Sequence, residues 1–292
     1  MSYIFNQFHH KKIFLKMKIN HLILEKLYKT FGNPFSNNLQ FRILNVHDIL
    51  DKDFDNLEKT LLNLKKNWDF VDPLKLYMTN NKIKKNCILL TFDDGYKSQK
   101  IFADKILSKH NIKAIFFVVT NFLKINQRDD ARKFVLKNID TNINKNKIRY
   151  DEVNNMNFDD VLMLKSNDHL IGSHTVNHRR LTDITNQEEL EYEIYDSKKK
   201  LETKLNCSVN NFAYTYGDIN SIDQNVLINL KKHYQNIFSG IRGNNFLSKS
   251  KNIFLRDELS PGYSNELVNS FLYGYTDLYY YKKKKKLFNF EK

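Results

Sequence analysis

From residue 41 onward, short apolar runs alternate with longer stretches in which apolar residues recur every three or four positions. The short runs are 41–46, 88–92, 114–120, 169–173, 211–214, 235–239 and 253–256. Several are apolar almost throughout, the pattern of strands buried on both faces. The stretches between them predict helices over 54–66, 98–109, 158–164, 186–205, 223–232 and 264–273. In the fourth, Leu190, Ile194, Leu201 and Leu205 form one apolar stripe, and Thr185 with Glu188 predicts a capping box at its start. Strands alternating with helices predict parallel pairing. About seven such units predict a barrel, or a distorted one.

The stretch 124–150 breaks this rhythm. It is polar, rich in Asn and Lys, and reads as a loop insertion with one helix near 131–138. Loops of this length in a compact domain are commonly functional. The expected organisation is a basic helical extension over 1–38, one domain over 39–275, and a basic tail over 276–292. Within the extension, 13–28 reads as an amphipathic helix with Ile19, Leu22, Ile23, Lys26 and Leu27 near one face. Such a helix either packs on the domain or touches a membrane surface.

The 292 residues, 41% hydrophobic, suffice for one large α/β domain. No apolar stretch reaches the roughly 18 residues of a membrane span. The first 35 residues show no uninterrupted apolar block and no small-residue cleavage site, so no secretory signal is read. The two cysteines, Cys87 and Cys207, make no disulfide framework. Cys87 opens an apolar run and reads as a buried thiol. Together these features lead to the expectation of a cytoplasmic protein, with a place at the inner membrane face as the alternative. Net charge is +14, and Lys282 to Lys286 supply five of the positive charges. That excess admits a nucleic-acid or anionic-lipid partner, or simply a solvated tail. A specific nucleic-acid role is not expected, because it leaves the acidic and histidine motifs without a purpose.

Those motifs change the picture. Thr91-Phe92-Asp93-Asp94-Gly95 ends an apolar run. In parallel β/α folds that strand end faces the active site. Neighbouring side chains on an extended chain point to opposite faces, so both carboxylates serve one site only if the chain turns, which Gly95 permits. A plain Asp-Asp-Gly loop capping the next helix is the alternative. Further on, Gly172-Ser173-His174-Thr175-Val176-Asn177-His178 follows another predicted strand. Two histidines four apart on a turn are a common metal-binding arrangement. One aspartate and two histidines would leave a coordination position for water, as in catalytic rather than structural sites.

In this order, the two motifs resemble those of the NodB-homology polysaccharide deacetylases, the fourth carbohydrate esterase family. The family reads T-F-D-D-G, then H-[ST]-x-x-x-H; both are intact here, and the resemblance covers roughly 41–260. It implies a distorted (β/α)7 barrel and removal of an N-acetyl group from a sugar. It also implies that Asp94, His174 and His178 bind a divalent metal, most often zinc, although the donor set accommodates cobalt, iron or manganese as well. Asp93 would be the general base that takes a proton from the metal's water. Thr175 would orient a ligand. Phe212-Ala213-Tyr214-Thr215-Tyr216-Gly217 resembles the F-A-Y-P-Y-G motif of a surface-polysaccharide branch, with Thr215 in place of proline and hence a looser loop. There the Tyr216 N–H would donate to the oxyanion. Arg256 would tether Asp93, unless it is an ordinary surface arginine. His47, in Ile43-Leu44-Asn45-Val46-His47, resembles the I-L-x-Y-H opening of the same branch and would contact the site or tune the base; a capped loop histidine is the alternative. The family's L-x-H motif, which supplies a general acid, is absent, and His233 lies in no such context. The expected partner is an N-acetylated glycan or glycolipid. A silent glycan-binding member and a deformylase of a lipid-linked amino sugar are the alternatives.

Overall fold

The first strand, β1 (Phe41–Val46), is buried along its whole length. Its two faces differ. Phe41 and Ile43 pack in one apolar cluster with Cys87, Leu89, Ile115, Phe117, Ala213 and Phe238. Leu44 and Val46 pack in another with Leu57, Leu61, Phe102 and many other helix residues. The first cluster is the barrel interior and the second the layer between sheet and helices. Buried on both sides, these strands carry no amphipathic alternation, and the sequence reads as continuous apolar runs.

The computed structural model describes residues 20–33, 39–74, 85–140, 142–143, 147–247, 250 and 252–291. After β1 come β2 (Asp69–Phe70), β3 (Cys87–Phe92), β4 (Ala114–Val118), β5 (Leu170–Ser173), β6 (Asn211–Ala213), β7 (Asn236–Phe238), β8 (Ile253–Phe254) and β9 (Asp257–Glu258). The sheet order is β8-β7-β6-β5-β4-β3-β1-β9, with β2 beside β3. All pairs are parallel. The predicted strand 253–256 stops at Phe254, and a second strand, β9, begins just beyond its end; the two lie at opposite ends of the sheet. β8 pairs with β7, and β9 pairs with β1. One segment thus closes the curl, with Arg256 at the crossing. With that segment counted once, the path has seven staves, a distorted (β/α)7 barrel.

Other elements also depart from expectation. The predicted helix 98–109 is an α-helix over Lys97–Phe102 continued by a π-helical turn over Ala103–Leu107. The predicted helix 186–205 is Gln187–Glu191, a π-helical turn Tyr192–Asp196, then Ser197–Leu205. Its cap is not Thr185. Asn186 is the extended residue before the first turn, and its side chain accepts from the N–H groups of Glu188 and Glu189. The described residues of the 124–150 stretch are mostly helical: Arg128–Phe134 runs on as Val135–Ile139, and Lys147–Glu152 follows. Ala131 and Val135 bury against Tyr96, Val119 and Phe122 in a satellite core, which explains why a polar stretch orders.

The expected basic tail is also structured. Tyr281–Asn289 is a helix whose Leu287 joins the main core. The start of the predicted 13–28 helix, including Ile19, lies outside the described residues. A helix does span 20–31. It lies on Asn265–Leu272, with His21 against Tyr263 and Phe271 and Tyr28 stacked on Tyr273.

Candidate active site

Strand alternation carries the site. Inward positions of β1 run Phe41, Ile43, Asn45 and on to His47; those of β3 run Cys87, Leu89, Thr91 and on to Asp93. Each face begins apolar in the barrel and turns polar at the C-terminal end. The register pairs Asn45 with Thr91 and Val46 with Phe92, so His47 and Asp93 leave the sheet side by side. His47 Nε2 lies 4.0 Å from Asp93 Oδ2. On β5, Gly172 and His174 continue the inward face. A Cβ at Gly172 would meet Phe117 at 2.4 Å, so only glycine fits beneath that histidine.

After β3 the chain turns sharply. Asp94 has φ +81° and Gly95 φ +98°. This left-handed pair brings both carboxylates to one cavity; Gly95 does so without strain, and Asp94 does not. Thr175 (φ +70°), His178 (φ +61°) and Tyr216 (φ +63°) are also left-handed. Of seven such non-glycine residues among those described, four sit in the three motif loops. Each costs about 1–3 kcal/mol, which only a well-fastened loop sustains.

The fastenings are visible. Glu193, buried on the π-helical turn, accepts from Val176 N (3.0 Å), Asn177 N (2.8 Å) and Asn177 Nδ2 (2.7 Å). The hydroxyl of Thr175 accepts from the His178 N–H at 2.8 Å. Thr215, where proline was expected, donates its hydroxyl hydrogen to Arg179 O at 2.7 Å. That bond ties the Tyr216 loop to the histidine loop and counters the looseness expected of a threonine. Gly217 and Gly240 meet back to back, and a Cβ on Gly217 would lie 2.7 Å from Gly240.

Asp94, His174 and His178 converge, all buried, with their ligand atoms within 4.8 Å of one another. Asp94 Oδ1 lies 3.5 Å from His174 Nε2 and 3.4 Å from His178 Nε2. Both rings have their tautomer set from behind. His174 Nδ1 donates to Ala213 O at 2.7 Å, and His178 Nδ1 donates to Asn138 O at 2.8 Å. A carbonyl only accepts, so Nδ1 carries a proton in each ring, and in the neutral ring Nε2 presents a lone pair toward Asp94. Burial pushes His174 down to about 4, against the opposing pull of Asp93, so its ring is neutral near pH 7. Asp94 Oδ1 is buried with no hydrogen-bond partner. Two ring nitrogens and an unpartnered carboxylate oxygen meeting at one point suit a cation. Ligand bonds of about 2.0–2.2 Å at tetrahedral angles separate donors by roughly 3.3–3.6 Å. The residues present therefore fit a divalent metal.

Asp93 lies beside this triad but is held differently. Arg256 Nη1 donates to its Oδ1 at 2.6 Å and Nη2 to its Oδ2 at 2.8 Å. Arg256 is itself buried, and its Nε donates to Ser239 O at 2.8 Å. Burial alone would raise the Asp93 pKa, but the guanidinium outweighs it and holds the carboxyl well below the usual carboxylate range. Asn45 adds a longer contact at 3.4 Å.

These residues line a cavity of about 200 Å³ with Tyr214, Tyr216, Ile139 and Glu258. The Tyr216 ring is half exposed at its rim, 5.1 Å from the His178 ring, with Arg180 over its face at 4.2 Å. A second cavity of about 340 Å³ shares His47 and Glu258 with the first and extends past Asp48, Arg149, Ser260 and Pro261. The two form one cleft.

The structure thus brings together Asp93, Asp94, His174, His178, Tyr216, Arg256 and His47. His233 is elsewhere, paired with Glu191 at 2.6 Å. The sequence reading missed Glu193 and Asn138. Both lie on π-helical turns, which often occur at functional sites.

The profile for polysaccharide deacetylase matches residues 80–234, more than half of the chain, and takes in both the Asp93-Asp94 motif and the His174 to His178 motif. The chain belongs to the polysaccharide deacetylase family. It is a hydrolase of amide C–N bonds, acting on an acetylated polysaccharide. No curated protein sequence gives a significant match. Among solved structures, the chain is similar to the Streptococcus pyogenes deacetylase PplD in complex with acetate, at 18% identity and a TM-score of 0.62 over 80% of this chain and 97% of that one. It is also similar to IcaB from Ammonifex degensii (16%, 0.61, 81% and 98%) and to a de-N-acetylase from Aggregatibacter actinomycetemcomitans (14%, 0.59, 80% and 100%). At these identities the likeness is one of fold.

Proposed function

We infer that this polysaccharide deacetylase removes the N-acetyl group from an amino-sugar residue, and that it needs a divalent metal, zinc suiting the donor set best, held by Asp94, His174 and His178. The observation that carries the reading is the meeting of three buried metal-binding atoms with a separate, ionised carboxylate.

When bound, the cation supplies Lewis acidity, acidifying a water and polarising the amide carbonyl. The chain does the rest. Asp93, kept ionised by Arg256, accepts the water's proton. Being buried and gripped at both oxygens, it spends little freedom in doing so. The Tyr216 N–H donates to the carbonyl oxygen as negative charge builds there. The departing amine needs a proton. His47, at 4.0 Å from Asp93, is the only cavity histidine not in the triad among the described residues, and it takes the role of the absent L-x-H motif. The second cavity gives neighbouring sugars of the polymer a place to lie.

The silent, binding-only alternative rested on Thr215 and on the missing acid motif. The Thr215–Arg179 bond and the place of His47 weigh against it. Acetate release from N-acetylglucosamine oligomers by zinc-loaded protein tests the reading. Asp93→Asn is expected to keep the metal and lose at least about 100-fold in kcat. Asp94→Ala is expected to lose both metal and turnover. Because Asp93→Asn leaves Arg256 facing a neutral amide, its fold is checked by circular dichroism. An active Asp93→Asn enzyme would contradict the assignment of the base.

A further inference from the structure

The helix over 20–31 covers the flank of the barrel with one side only. His21, Glu25 and Tyr28 face the domain: His21 meets Tyr263, Glu25 accepts from the Ser264 hydroxyl at 2.7 Å, and Tyr28 stacks on Tyr273. The other side carries Ile23, Leu27 and Phe31, four residues apart and so in one row, while Leu22 stands in a separate row with Lys26 and Lys29. Leu22 is 64% exposed, Ile23 51% and Phe31 65%, too much for a helix stripe that packs on its own domain. A second apolar group adjoins it. The Tyr275 hydroxyl donates to Gly32 O at 3.0 Å and fastens the C-terminal segment to the end of this helix. Three and four residues on, Leu278 is 85% exposed and Tyr279 75%.

We propose that this flank docks on an anionic phospholipid surface. The charge around the apolar groups identifies the partner. Lys26 and Lys29 lie on the helix itself, and Lys282 to Lys286 begin just after Tyr281. Lys283 sits over the rings of Tyr279 and Tyr280, at 5.6 and 5.1 Å. Acidic side chains nearby are engaged: Glu25 with Ser264, Glu266 with Lys29 at 3.9 Å, Asp277 with Arg42, Glu291 with Lys231, which leaves Lys26 and the 282–286 run as the main charge toward a partner. Exposed aliphatic and tyrosine side chains with lysines close by, Lys283 among them, match the boundary between acyl chains and anionic headgroups. A second copy of the chain would bring the same lysines against each other, which disfavours self-association. No helix among the described residues is long and apolar enough to cross a membrane, so the contact lies along the surface. The flank also reaches the cleft: Ser260 and Pro261 line the second cavity, and Ser264 holds Glu25. A glycan carried on a lipid would meet the cleft from that side.

Sedimentation of the full chain with phosphatidylcholine vesicles, with and without phosphatidylglycerol, tests the proposal. Binding is expected only with the anionic lipid and is expected to weaken as salt rises. Replacing Leu22, Ile23, Leu27 and Phe31 by Ser is expected to reduce partitioning on the order of tenfold or more. Replacing Lys282 to Lys286 by Gln is expected to abolish the preference for phosphatidylglycerol. Both variants should keep their melting temperature and their acetate release from soluble oligomers; if the fourfold variant unfolds, Phe31→Ser alone serves in its place. No binding to anionic vesicles at low salt overturns the proposal, as does binding unchanged in both variants. A native dimer that the serine variant splits into monomers also overturns it, because the face would then be a self-interface.

Discussion

Asp93 and Arg256 bury opposite charges with two hydrogen bonds between them. Removing one partner of such a pair strands the other in a low dielectric, at a cost of about 3–5 kcal/mol. Arg256→Gln is therefore expected to melt much earlier than the parent, by calorimetry, and to lose kcat by about tenfold or more while retaining metal. Glu193 is a positioning residue of another kind. It takes three N–H groups of the histidine loop, so Glu193→Ala frees a strained turn. Metal affinity, measured by competition with a chromophoric chelator, is expected to fall about 10- to 100-fold. The difference between these residues also shows what sequence can disclose. Asp93, Asp94, His174 and His178 stand out because chemistry requires those types at strand ends. Glu193 is one of several glutamates on a charged helix, and only the packing of that helix shows which one turns inward. Asn138 acts through its backbone carbonyl, so its side chain carries no signal at all.

The elements repeat this lesson. Strands β1 and β3 were legible to within a residue, since burial on both faces leaves an apolar run with clear ends. The segment 253–258 was not, because its split arises from closing the barrel, a tertiary event with no local mark. The π-helical turns were hidden likewise, since each preserves the apolar stripe that predicts a plain helix. One pairing between elements carries a pH prediction. His169, entering β5, accepts the Ala114 N–H of β4 at Nδ1, 3.1 Å away. That bond requires the unprotonated ring. Burial, with Lys113 beside it, pushes its pKa from 6.5 down to about 4. Below pH 6.5 the unfolded chain gains a proton that the folded chain refuses. The stabilisation is thus whole above 6.5 and is lost as pH falls toward 4, up to about 3 kcal/mol. His169→Asn keeps an acceptor but does not titrate. Urea unfolding at neutral and acid pH is expected to show a smaller acid loss in that variant.

At the scale of the molecule, the barrel sets three loops at one end, and each uses left-handed backbone to aim its side chains. The strain at Asp94, Thr175, His178 and Tyr216 is carried by the parallel sheet and by ties such as Glu193 and Thr215. The described residues of the polar insertion pack in a satellite core and bring the Asn138 carbonyl to His178, so a stretch that reads as a loop takes part in the candidate metal site. The central question is whether that site, and no other, drives amide hydrolysis. The most direct measurement is acetate release from N-acetylglucosamine oligomers by chelator-stripped protein titrated with zinc. Turnover is expected to be absent at first, to rise to saturation at a single equivalent per chain, and to fail to rise in Asp94→Ala. Undiminished turnover in the stripped protein, or full restoration in Asp94→Ala, would contradict it.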